Sequence, residues 1–211
     1  MSSPARRPPI VLVETAFLAS TSGLLYLINT YFPLGPAFRI FFPVPIALAY
    51  LRWGARASWM TALVSGLLLT VLMGPTRSIF FVMPFAFMGV MLGVLWRRGA
   101  SWWVSIGLGA LLGSIGVFFR LWLLSILLSE DLWLYMTIQI TELAEWGLEK
   151  LGILAAPSLV LVQGLAVAAI VANNIVYLFV VHLVSLMLLE RLGNPIPLPP
   201  KWVRVLLDYE E

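Results

Sequence analysis

The sequence predicts an all-α fold, a polytopic membrane bundle of about six transmembrane helices. Three observations carry this. Hydrophobic residues make up 61% of the 211 and charged residues only 11%, whereas a domain whose surface faces water is about one-quarter charged. Mean hydropathy is +0.98, and the apolar residues fall in runs near the roughly 20 that a helix needs to cross the hydrocarbon core. The 9 Trp and 6 Tyr stand often at the ends of those runs, where an amphipathic ring suits the headgroup layer.

Composition also excludes classes. Without cysteine there is no disulfide framework and no thiolate metal site. The pI near 9.5 arises from three net charges. No basic cluster carries interleaved aromatics, so no nucleic-acid partner is expected.

Along the chain, 1–9 is a basic, proline-broken segment, 10–192 the transmembrane bundle and 193–211 a tail. The apolar run 10–32 is long enough to be a retained first helix rather than a cleaved signal, and Pro33, Gly35 and Pro36 end it. Segment 38–53 contains Pro43 and Pro45, so it is either a kinked helix or one that does not fully cross. Segments 55–73 and 78–96 are clear spans, the second with Pro84 as a kink. Segment 102–128 follows, and 157–190 reads as one long tilted helix. Between them, 129–150 holds five of the ten acidic residues; Gln139, Glu142, Glu145 and Glu149 recur at helical spacing, as in an amphipathic helix at the membrane face. Before Thr137 the alternation is nearer to period two, and helix and strand are hard to separate.

Lys and Arg placement orients the bundle. With the N-terminus inside, nine (Arg6, Arg7, Arg52, Arg56, Arg97, Arg98, Arg191, Lys201 and Arg204) are cytoplasmic and three (Arg39, Arg77 and Lys150) lie outside. Arg120 falls within a span. Both termini are therefore expected in the cytoplasm, with 129–150 on the outer side.

Intramembrane polar groups are the candidates for function. Arg120 must pair, snorkel or meet an anionic ligand. Asn29, Arg120 and Gln163 map to the outer half and Asn173 to the centre, a distribution that suits a polar pocket open to the outside. Trp133 and Tyr135 could close over it. The competing reading is that the amides tie helices together, at about 1 kcal/mol each. His182 is the only histidine, which excludes a multi-histidine metal site; a neutral ring bonded to another helix is its simplest role. No HExxH, GxSxG or Walker A motif is present, so neither an enzyme nor a nucleotide-binding chain is expected, and no cofactor is called for. On the first span Thr15, Ala19 and Gly23, with Ala16 and Ser20 beside them, form a small-residue face that lets another backbone approach closely, within the bundle or on a partner.

The six-helix plan, this small-residue face and the run FFPVPIALAYLRWGARAS resemble the substrate-binding S components of energy-coupling factor (ECF) transporters, most nearly the YybS-like group of bacterial membrane proteins. The resemblance implies a ligand pocket open to the outside. It implies an ECF coupling transmembrane subunit and ATPases as partners, docked on Ala16, Ala19, Ser20 and Gly23. The lack of a recognisable transit or signal segment fits a bacterial plasma membrane and leaves an internal photosynthetic membrane open. The alternative is a non-transporting membrane scaffold or assembly subunit of related fold.

Overall fold

The computed structural model describes residues 9–32, 35–150 and 158–206. The calls at Arg6, Arg7 and Pro33 lie outside them. Among the described residues the chain is helical, without strands, and five helices are long and apolar enough to cross a membrane.

These are α1 (Pro9–Tyr31), α3 (Ala55–Met73), the broken pair α4 (Pro75–Phe81) and α5 (Phe87–Arg97), α6 (Trp102–Leu128) and α8 (Leu159–Arg191). The break in the pair is a π-helical turn at Val82–Ala86, within which Met83 is extended (φ −112, ψ 107) ahead of Pro84. At 33 residues, α8 is about 50 Å long and overshoots the bilayer core.

Segment 38–53 is a 3-10 helix at Pro36–Phe41 followed by α2 (Val44–Trp53). Pro43 and Pro45 remove two backbone donors, so the chain does not continue as one helix. Ten residues make only about 15 Å, short of the hydrocarbon thickness. The short helix is tolerated because Val44–Ala49 are all buried: irregular backbone is admissible at membrane depth where protein encloses it.

Tight glycine reversals set the order. Gly54 (φ 83) joins α2 to α3 and Gly74 (φ 86) joins α3 to α4, each donating its N–H back to the preceding helix. Small residues then bring the helices close. A Cβ on Gly93 would lie 2.4 Å from Tyr50 Cβ, and one on Gly89 2.7 Å from Ile46 Cβ, so α5 presses directly on α2. Hydroxyls buried between helices bond to backbone carbonyls: Ser58 to Ile46, Ser65 to Ala19, Ser78 to Gly66 and Ser22 to Phe42, at 2.6–3.0 Å. In a lipid setting such internal satisfaction is required.

One face of the bundle gathers the first turns of α1, the end of α2 and the end of α8. Arg52, near the end of α2, pairs with Glu14 of α1 and donates to the carbonyl of Leu192, just past α8. Glu14 also accepts from the Trp53 indole at 2.8 Å. Nearby, His182 is fully buried between Trp96 and Trp102. Its Nε2 accepts from the Trp96 indole at 3.1 Å, so the proton sits on Nδ1, which donates to the Leu178 carbonyl. Beyond α8 the chain turns back: Trp102 donates to the Pro197 carbonyl, Ile196 and Val203 are buried, and Trp202 of α9 (Lys201–Leu206) stacks on Phe179. The described part of the tail is thus packed on its own bundle.

At the opposite face, Ser129 (φ 56) turns the chain into α7 (Leu132–Lys150). Asp131 caps it, accepting from the Leu134 N–H at 3.0 Å, so the helix includes the stretch before Thr137. Thr137 is its one fully buried residue, while Leu134, Tyr135, Ile138, Leu143 and Trp146 stay exposed. A helix with this much uncovered apolar surface suits the membrane interface.

Candidate functional site

Two adjoining cavities lie towards the face opposite the Glu14–Arg52 pair. The upper, about 290 Å³, is lined by Tyr26, Asn29 and Thr30 towards the end of α1, Arg39 and Phe42, Arg77 and Phe80 of α4, Phe85 and Arg120. The lower, about 130 Å³, shares Arg39, Phe80, Phe85 and Arg120 with it. It runs between the helix break (Met83, Pro84), α6 (Gly113, Gly116, Val117) and α8 (Asn173, Asn174, Tyr177).

Each wall has a local cause. Arg39 rides on the 3-10 helix, which is held on α8 because the Tyr177 hydroxyl donates to the Arg39 carbonyl at 3.0 Å. Phe42 is fixed by edge-to-face contacts with Tyr26 and Phe85, at 5.3 and 5.1 Å between centroids. Arg120 stands two turns before the end of α6, and its guanidinium lies over the Phe80 ring at 5.3 Å. Arg77 lies over Tyr31 at 5.8 Å. Gly113 and Gly116 make room for the lower cavity's walls: a Cβ on Gly113 would lie 2.3 Å from Asn174 Oδ1 and one on Gly116 2.6 Å from Pro84.

The electrostatics are one-sided. Three arginines from three elements converge on the upper cavity, all within electrostatic reach of the Tyr26 hydroxyl. Among the described residues no carboxylate lines either cavity. Among the described residues none of the three arginines forms an ion pair. Asn29 Oδ1 is buried and accepts no hydrogen bond there. Each guanidinium offers five donors in a planar fork. Chemically, such a set of donors suits an anion.

Of the candidates read from the sequence, Asn29, Arg120 and Asn173 come together on these cavities. Trp133 lies elsewhere, in a larger cleft of about 590 Å³ between the ends of α6 and α7, with Glu130 and Asp131. Its walls include the strongly exposed Trp122 and Ile126, which marks it as a lipid-facing groove. Tyr135 is exposed on α7, and Gln163, half-buried on α8, lines none of these cavities. On α1, Ala19 and Gly23 are buried against α3: Ser65 bonds the Ala19 carbonyl, and a Cβ on Gly23 would meet Leu68 at 3.2 Å. Ala16 and Ser20 remain exposed. Sequence reasoning passed over Arg39, Arg77, Tyr26 and Tyr177 as site residues. The signal for the two arginines was present, since they are two of the three cations that break the charge asymmetry.

Helical bundle, apolar belt and internal cavities define an integral membrane protein. The chain belongs to the family described as predicted membrane protein (DUF2232), whose model matches residues 21–205. No curated protein and no solved structure matches it.

Proposed function

We propose that the chain is the membrane-embedded substrate-binding subunit of an ECF-type importer, capturing a small anionic molecule from the outer side. The observation that carries this reading is the convergence of Arg39, Arg77 and Arg120, without a carboxylate, on cavities that also take in Asn29 and Asn173. Charge on an arginine so near the bilayer is costly, and an anionic ligand would offset it. The face carrying Arg52, Arg56, Arg97, Arg98 and Arg191 is the cytoplasmic one under the positive-inside rule. Both termini are then cytoplasmic, the arginine cavity is external, and a bacterial plasma membrane is the setting.

Energy would come from partners. The exposed part of the α1 small-residue face, Ala16 and Ser20, is where a coupling transmembrane subunit would approach, since Ala19 and Gly23 already serve the α1–α3 contact. The test is a gentle-detergent pulldown of the tagged chain, with mass spectrometry of proteins and bound small molecules. Co-purification of a coupling subunit and ATPases, lost in Ala16→Leu/Ser20→Leu, is expected. Recovery of unrelated membrane-complex subunits without an ATPase or a ligand would instead establish the scaffold reading.

A further inference from the structure

We infer that the cavity's ligand is an amphipathic phosphate monoester, its phosphoryl head among Arg39, Arg77 and Arg120 and its apolar tail in the lower cavity. This rests on reading the cavities as a ligand site. The charge count favours a dianion. A carboxylate is satisfied by one bidentate guanidinium and would engage only one of the three arginines, each of which is exposed at the rim. A phosphate monoester carries nearly two charges at pH 7 and three acceptor oxygens, enough to engage all three forks. Asn29, which also lines the upper cavity, adds an amide beside the arginines that suits a ligand hydroxyl next to the head.

The tail follows from the change of lining below the arginines. Met83, Pro84, Met88, Gly113, Gly116 and Val117 continue the wall away from Arg39 and Arg120, with the asparagines on one side. Flexible thioethers and glycines make a wall that accepts an aliphatic chain. The helix break at Val82–Ala86 puts interrupted backbone at that depth, where discontinuous membrane helices commonly line substrate paths. Such a head is found on both soluble metabolites and lipids, and the same arginines would hold either.

The experiment uses the full chain in phosphatidylcholine nanodiscs and measures binding and thermal stability with hexyl phosphate, hexyl sulfonate, hexanoate, hexanol and inorganic phosphate. A second set of discs contains phosphatidic acid. Hexyl phosphate is expected to bind at least about tenfold more tightly than hexanoate or hexyl sulfonate, and each of Arg39→Gln, Arg77→Gln and Arg120→Gln to weaken it about tenfold or more. Arg98→Gln, on the far face, should leave binding unchanged. Arg120→Lys, which keeps charge but loses the fork, should recover only part, and its folding can be verified by its melting temperature. An arginine-dependent gain of stability in the phosphatidic acid discs assigns the lipid source, and its absence beside hexyl phosphate binding assigns the soluble one. Hexanoate bound as well as hexyl phosphate, with the arginine dependence intact, overturns the phosphoryl assignment yet leaves a ligand site. Inorganic phosphate bound as tightly as hexyl phosphate overturns the tail. Failure of every probe, or equal binding of hexanol in the arginine variants, overturns both the inference and the ligand reading beneath it.

Discussion

The Tyr177 hydroxyl donates to the backbone carbonyl of Arg39 across 3.0 Å, so a residue in the middle of α8 fixes the turn that presents one of the three cavity arginines. Tyr177→Phe removes the donor and leaves the ring. The expected result is a stability loss of about 1 kcal/mol, read as a lower melting temperature in detergent. Binding of an anionic ligand should fall further than stability does, because Arg39 loses its anchorage. Unchanged binding would mean that the turn is held by other contacts.

Gly113→Ala is expected to close the lower cavity. Its new Cβ would stand 2.3 Å from Asn174 Oδ1, and Asn174 is itself held by the Ile170 carbonyl at 2.9 Å. Relief must come from a shift of α6 against α8, at a cost of about 1–3 kcal/mol. A thermal melt gives the stability term, and a ligand titration at a temperature where the variant is folded gives the effect on the cavity.

His182→Ala should be among the most destabilising single changes outside the glycines. It opens a space between Trp96 and Trp102 and leaves the Trp96 indole N–H without its acceptor. The combined cavity and unpaired-donor cost is about 3–5 kcal/mol. His182→Gln, which can still offer an acceptor, should recover part of it.

Glu14→Ala leaves Arg52 and the Trp53 indole without their shared acceptor. The pair is partly exposed, with side chains 30% and 19% accessible, so the expected cost is about 1–2 kcal/mol rather than that of a fully buried ion pair. Glu14→Gln keeps an acceptor for Trp53 and should lose less, as thermal melts of the two variants would show.

Topology is open to a direct check because the chain has no cysteine. A single cysteine at Arg77 should react with a membrane-impermeant maleimide added to intact cells, and one at Arg98 only after lysis. The reverse pattern would invert the orientation.

The helices were legible because apolar runs and proline or glycine punctuation are local. The spans 55–73 and 102–128 match α3 and α6 residue for residue. What 38–53 does was left open by its prolines, because a ten-residue helix is admissible only if neighbours enclose it, and enclosure is a tertiary fact. The same holds for the site. Asn29, Arg120 and Asn173 announced themselves as polar residues inside apolar runs, whereas Arg39 and Arg77 sit in connections, where a charge looks ordinary until the fold sets both at the rim of one cavity. The small-residue face on α1 was visible in sequence, but whether it meets α3 or a partner was not; Ala19 and Gly23 meet α3.

The central claim is that three arginines hold an anionic ligand, and native mass spectrometry of the chain purified from its membrane tests it most directly. A small anionic species retained by the wild type and absent from Arg120→Gln, with both proteins equally folded, is the predicted result. A wild type that releases no anion, or a ligand retained equally by Arg120→Gln, would contradict it.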